Sequence, residues 1–347
     1  MTIREQIEQR EHEILSPYAS FSDESLGRDR EIEPCEMRTC YQRDRDRILH
    51  SRSFRRLKNK TQVFLEPEGD HYRTRLTHTL EVSQIARTIA KALQLNEDLT
   101  EAIALGHDLG HTPYGHSGEA ALDKVLKADG FDGFKHYKQS VRLVQKIERD
   151  GEGLNLTKEV VDGILNHGVP GRAFTLEGRI VRLADKIAYI NHDIDDAIRA
   201  GVLTEEMIPL KYREALGMSV KVRLDTLVND VITSSMGKDD IFQSPMVEEN
   251  MAGLRNFMFE AVYQSPVVKH EEAKAQKMLI ALYEYYKEHP EAIPKSYQIF
   301  IERGDPLPIV VSDYISGMTD QYAIQKYEEY FVPKGWTDKK NITKQRH

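Results

Sequence analysis

The chain has 347 residues, 40% of them hydrophobic and 30% charged, with a formal net charge of −8. That length supplies ample core for one large domain or two, and the acidic balance excludes a protein that mainly coats nucleic acid, though not a local basic patch. No apolar run reaches the length of a membrane span, Met1-Thr2-Ile3-Arg4-Glu5-Gln6 lacks the apolar core of a signal peptide, and Cys35 and Cys40 make neither a disulfide framework nor a four-cysteine zinc module. A reducing cytoplasm is the expected compartment, with no membrane partner.

Tyr41 to Lys60 holds eight Arg or Lys against two Asp, net +6. The run reads either as a nucleic-acid patch or as an Arg-Asp-Arg-Asp-Arg alternation bridging within or between subunits, and the second reading is favoured. Lys60 to Leu65, a turn at Glu68-Gly69-Asp70 and His71 to Thr74 give the chain's one hairpin signal. Helical spacing then dominates. Leu80, Ile85, Ile89 and Leu93 predict a helix over 75–94. Asn96 caps a helix that ends at His107-Asp108, and Ser117 caps one running through Leu122 and Leu126 to Gly130. Further helices are expected over 136–149, over 157–167 with Thr157 as cap and Gly168 as stop, and from Leu176 to Ala200. Helical patterns also cover 204–233, 246–262, 268–288 and 309–331, with a loop at 234–245 and a polar tail from Lys334. The expected fold class is all-α, with at most a short β-hairpin.

Of the 13 histidines, eight fall between His71 and His192. His107, Asp108, His111, His116 and Glu119 stand within thirteen positions, among glycines and Pro113. Surface decoration would scatter such residues; a metal-and-proton site concentrates them. Imidazole and carboxylate together suit a divalent first-row ion, and His78, His107, Asp108 and Asp185 are the residues that could converge on one. Asp185 lies among Ile180, Val181, Leu183, Ile187 and Ile190, where a carboxylate needs a partner. That partner is either a cation or one of its neighbours Arg182 and Lys186.

The order His78, His107-Asp108, Asp185 resembles the HD superfamily of metal-dependent phosphohydrolases. Arg43 to Ser51, Phe54 to Leu57, Lys60 to Phe64, His71 to His78, Tyr189 to Asp196 and Asp313 to Asp320 resemble, more closely, its deoxyguanosine triphosphate triphosphohydrolase family. The resemblance implies an HD-domain fold and hydrolysis of deoxynucleoside triphosphates (dNTPs) to deoxynucleoside and tripolyphosphate. It implies one divalent ion (Mn, Mg, Fe, Co, Ni or Zn) held by His78, His107, Asp108 and Asp185. It makes His116 and Glu119 the acid–base pair, with Glu119 holding His116 ready to protonate the leaving 5′ oxygen. His111 and His136 fall near the α-phosphate, and Arg75 and Lys186 neutralise the triphosphate. Tyr189, Asp193 and Gln62 contact the deoxyribose. A basic segment at 1–60 would serve effector or subunit contacts, an HD core would occupy 61–200, and a helical part at 201–347 would complete the same unit. The family also implies a homo-oligomer, from dimer to hexamer, and a dNTP effector. The other readings are a different HD phosphohydrolase, such as a nucleotidase or phosphodiesterase, and a nucleotide-sensing or nucleic-acid-binding HD protein without turnover. The chain departs from the family at Thr112 and Tyr114, where Pro and Phe are usual, and at Tyr137 to Ser140.

Overall fold

The structure, a computed structural model, describes residues 1–62, 73–168 and 171–334. Among them it is all-α: the only β features are isolated bridges, Arg28 with Thr157 and Thr61 with Thr74. The second bridge closes the base of the expected hairpin; its body, His71 included, lies outside the described residues.

Local sequence sets most helix starts. Helix α1 (Ile3–Ile14) begins with a capping box between Thr2 and Glu5, and α2 (Cys40–Leu49) with one between Thr39 and Gln42. The Thr74 hydroxyl accepts from the Thr77 amide to start α3 (Arg75–Ala92), and the Asn96 side chain caps α4 (Glu97–Gly106). Then come α5 (Gly115–Ala128), α6 (His136–Arg142), α7 (Lys158–Asn166) and α8 (Leu176–Arg199), the last capped by Thr175. The C-terminal part contributes α9 (Val220–Ser235), α10 (Pro245–Met258), α11 (Pro266–Glu288), α12 (Leu307–Ser316) and α13 (Asp320–Phe331).

Four expectations are corrected. Helix α5 starts two residues before Ser117, from a left-handed Tyr114 at φ 61°, so Ser117 lies inside its first turn. The expected 136–149 helix stops at Arg142 and passes through one wide turn, Leu143–Ile147, before Arg149 and Asp150 turn left-handed. The 204–233 and 309–331 patterns are each broken, by Gly217 at φ 133° and by a new helix start at Thr319. Apolar spacing persists across such breaks because both flanking helices face one core, so periodicity alone does not reveal them.

Helix α8 packs against α3, α4 and α7 and so forms the spine of the first half. Its Ile180, Val181, Ile187 and Ile194 are fully buried, each contributing about 1.5–3 kcal/mol. This core extends through Leu227 of α9 and Leu254 of α10. A second core joins one face of α5 (Leu122, Val125, Leu126) to tyrosine-rich α11 and α12, through Tyr283, Tyr286 and Tyr314. Helix α5 belongs to this second core, and its N-terminal end carries His116 and Glu119. Among the described residues no helix is long and apolar enough to cross a membrane.

Candidate active site

His78 sits one turn into α3, His107 caps the C-terminal end of α4 with Asp108 beyond it, and Asp185 lies mid-way along α8. Packing of α8 on α3 and α4 brings all four together. His78 Nε2 is 3.1 Å from Asp185 Oδ1 and 4.0 Å from Asp108 Oδ2. His107 Nε2 is 3.6 Å from Asp108 Oδ1 and 3.8 Å from Asp185 Oδ1. Atoms about 2.1 Å from a common ion stand roughly 3–4 Å apart, so the separations fit a divalent ion. His107 Nδ1 donates to the Ala104 carbonyl at 2.6 Å, leaving the Nε2 lone pair buried with no hydrogen-bond partner. That orphaned atom is what a metal ligand looks like before loading. Asp185 is the partly open member, at 28% exposure.

Arg75, expected to face a triphosphate beside Lys186, is only 2% exposed and donates to Asp108 Oδ2 at 2.7 Å. Burial raises the Asp108 pKa, but His111, His107, Arg75 and His78 outweigh it and hold the carboxyl well below its ordinary value. Arg75 reaches this position because Gly115, at φ 54°, has no Cβ; one would stand 2.8 Å from the guanidinium.

The expected His116–Glu119 pair takes another form. Glu119 Oε2 accepts from His136 Nδ1 at 2.6 Å and lies 4.0 Å from His116 Nδ1. His136 begins α6, which approaches the His107-to-His111 turn closely enough that a Cβ on Gly110 would overlap the Ser140 amide at 2.2 Å. Spacing along α5 suggested the nearer histidine; tertiary packing supplied a better-placed one. His136 also stacks on the His111 ring at 4.0 Å, while His116 projects outward with its side chain 64% exposed. His111 Nε2 stands 3.3 Å from Asp108 Oδ1, and burial pushes its pKa well below the ordinary histidine value.

A cavity of about 590 Å³ opens from this cluster. His116, His136, Asp185, Lys186 and Tyr189 line it, as do Arg182, named from the sequence only as a possible partner of Asp185, and Arg255, which the sequence reading did not single out. Arg172 and Arg179 also line it but share Asp240, at 2.9 and 3.1 Å. Lys186 is lowered in pKa by burial and by the nearby Arg182 and Arg255 charges. Asp193 is fully buried and accepts a short hydrogen bond from the Tyr263 hydroxyl. Burial pushes its pKa well above the ordinary value, despite a hydrogen bond from Tyr189. Tyr189 and Tyr263 stack at 6.2 Å. Gln62 is buried with Oε1 unpartnered. His78, His107, Asp108 and Asp185 therefore share one centre, His111, His116, Glu119 and His136 adjoin it, and Lys186 and Tyr189 flank the cavity.

His167 was also missed. It caps the C-terminal end of α7, lines the cavity, and has its ring 5.0 Å from that of His107. The clustering of histidines between 71 and 192 was the available signal.

The polar departures at Thr112 and Tyr114 are both used: the Thr112 hydroxyl donates to Gly115 O at 2.8 Å, and the Tyr114 hydroxyl to Asp320 O at 3.1 Å. The basic run is engaged inside the chain. Arg28 pairs with fully buried Asp44, Arg45 with Asp98 at 2.9 Å, and Arg47 donates to Leu154 O at 2.6 Å.

The HD domain model matches residues 75–190, and the phosphohydrolase-associated domain model matches 241–329. A deoxyguanosinetriphosphate triphosphohydrolase-like protein from Caldanaerobacter subterraneus subsp. tengcongensis is 56% identical over 97% of this chain and 98% of its own length. Another so named, from Desulfatibacillum aliphaticivorans, is 50% identical over 96% and 99%. The chain belongs to the deoxyguanosinetriphosphate triphosphohydrolase-like family of HD phosphohydrolases. Among solved structures, a phosphohydrolase from Bacteroides thetaiotaomicron superposes with a TM-score of 0.51 at 16% identity, over 82% of this chain and 69% of that one, a likeness of fold. Membership makes this HD protein a hydrolase whose His/Asp cluster could hold a divalent metal.

Proposed function

We propose that this HD phosphohydrolase cleaves dNTPs between the 5′ oxygen and the α-phosphorus: water adds to phosphorus, deoxynucleoside leaves, and tripolyphosphate is released intact. The observation that carries this reading is the position of Asp185. It is the one member of the four-residue cluster that lines the cavity, and the same cavity holds Arg182, Lys186 and Arg255. Among the described residues none of these three cations has a carboxylate within salt-bridge distance, unlike Arg172 and Arg179 beside them. A chain of phosphates fits between such a centre and such a wall.

His78, His107, Asp108 and Asp185 would hold the divalent ion. When bound, that ion supplies Lewis-acid polarisation of the phosphoryl group. The chain's own residues do the rest. His116, which lines the cavity, gives a proton to the departing 5′ oxygen. Glu119 orients His136 through its 2.6 Å hydrogen bond, and the His136 ring packs on His111, so both imidazoles are fixed beside the α-phosphate. Arg75 fixes Asp108. Tyr189, backed by Tyr263, packs against the sugar, and the Asp193 beneath them sets both hydroxyls.

The test is a product assay. The Mn²⁺-loaded chain, given each dNTP singly and then with a second dNTP, should release deoxynucleoside and tripolyphosphate in equal amounts. Release of pyrophosphate or orthophosphate would overturn the reaction assigned here, and stimulation by the second dNTP would reveal an effector.

A further inference from the structure

Five lysine and arginine side chains line the cavity, and one carboxylate divides them. Asp240 pairs with Arg172 at 2.9 Å and with Arg179 at 3.1 Å, one oxygen to each. Arg182, Lys186 and Arg255 have no carboxylate within salt-bridge distance among the described residues. Of the other carboxylates on the cavity, Asp185 belongs to the metal cluster, and Glu248 is in no salt bridge among the described residues.

The fold places this trio. Asp240 lies in the loop between α9 and α10, Arg172 in the segment before α8, and Arg179 at the start of α8. Arg179 is fixed from behind, donating Nε to the Ala173 carbonyl at 2.9 Å and Nη2 to the Phe174 carbonyl at 3.2 Å. The Asp240 carboxylate also accepts from the Ile241 amide at 2.8 Å. Burial raises the Asp240 pKa, but that bond and the two arginines outweigh it and leave the pKa lowered, so the group is ionised at neutral pH.

The charges of reactant and product give such a carboxylate a use. Cleavage at the 5′ oxygen turns the ester position of the α-phosphate into a P–OH that ionises. Tripolyphosphate therefore carries one more ionisable oxygen than the dNTP, and a wall of free cations attracts it more strongly. Grip of that kind, equal or greater on product, does nothing to speed turnover. We propose that Asp240 is a release-determining residue: it competes with the phosphate chain for Arg172 and Arg179, leaves capture to Arg182, Lys186 and Arg255, and so frees tripolyphosphate. The inference rests on the reaction proposed above, but its first measurement is of equilibrium binding and does not need that reaction.

Mn²⁺-loaded wild type and Asp240→Asn are titrated with tripolyphosphate by calorimetry, with Mn²⁺ in excess. The substitution removes the charge, keeps an oxygen for the Ile241 amide, and falls on a side chain that is 42% exposed. The variant should bind tripolyphosphate roughly tenfold more tightly, the order of one charge-assisted hydrogen bond. In turnover its KM and kcat should both fall, with a burst of deoxynucleoside before the slower steady rate. Adding Arg172→Ala or Arg179→Ala to Asp240→Asn should return the affinity toward that of the wild type. A carboxylate that only ties down its loop predicts the opposite sign, because Asp240→Asn would then loosen the cavity and weaken binding. Weaker or unchanged binding, or tightening that survives both arginine substitutions, would overturn the proposal and leave the reaction standing. Pyrophosphate or orthophosphate as the product would overturn the reaction, and tightening seen alongside it would still support Asp240 as the competitor for the two arginines.

Discussion

The floor and the wall of the cavity are built on opposite terms. The floor is almost water-free: His78, His107, Asp108, Arg75 and His111 are each at most 3% exposed, and every one is held by at least one partner. The wall, by contrast, carries exposed Lys186 and Arg255 on α8 and α10, beside half-buried Arg182, which donates to the Gly171 carbonyl. Rigid, desolvated groups suit the stage where charge moves in bonds, since their alignment costs nothing at the moment of reaction. Flexible surface cations suit capture of a polyanion. The contrast predicts that floor substitutions strike turnover and wall substitutions strike affinity.

The largest effect should come from the floor. His78→Ala should lose the divalent ion and bring turnover to background, measured together as metal content and deoxynucleoside release; full activity with no bound metal would end the distinction. His116, between floor and wall, should be next. His116→Ala is expected to lower kcat by roughly 10²–10⁴-fold with metal content unchanged, the usual contribution of a positioned acid. An equal loss confined to KM would move His116 to the wall. Arg182→Ala and Arg255→Ala should each raise KM by about 10–100-fold, matching about 1.5–3 kcal/mol for a charge-assisted hydrogen bond, with kcat less affected. Added salt should blunt that difference.

The smallest effect lies outside both regions. Glu177, fully buried, accepts from the Ser20 and Asn96 amides through one oxygen, each at 3.0 Å, and from the Ser20 hydroxyl through the other. Burial raises its pKa despite these bonds. The folded chain therefore holds this proton to higher pH than the unfolded chain does, so stability falls as pH rises from about 4.3, the free glutamate value, through the raised folded value. Glu177→Gln can keep the three contacts with the hydroxyl reversed, and should remove that slope while changing neutral-pH stability by no more than about 1 kcal/mol. Urea unfolding of both chains at several pH values checks it; parallel curves would mean that Glu177 titrates normally.

Much of the fold was legible because helix starts are local. Thr74, Asn96 and Thr175 cap where a short polar side chain precedes an apolar period, and that information lies within a few residues. The hydrogen bond of Glu119 was not, because i,i+3 spacing offers His116 while the closer histidine comes from α6, 17 positions later. The block Asp313 to Asp320 reads in sequence as a family signature. In the structure Asp313 pairs with Arg142 at 2.6 Å, and Asp320 accepts from the Tyr114 amide at 3.0 Å and the Thr61 amide at 2.8 Å, tying α12 and the start of α13 to α6 and to the residue before α5. Those partners sit 171, 206 and 259 positions away, beyond any local pattern.

The sequence by itself determined the helical class, the residue types gathered for metal and proton chemistry, and their order along the chain, since periodicity, capping and side-chain chemistry are properties of short segments. Tertiary structure decided the pairings: Arg75 on Asp108, Glu119 on His136, His167 facing His107, and Arg28 on the buried Asp44 of the basic run. A buried charge or imidazole takes whichever partner packing brings within about 3 Å, and that choice is made only when distant helices meet.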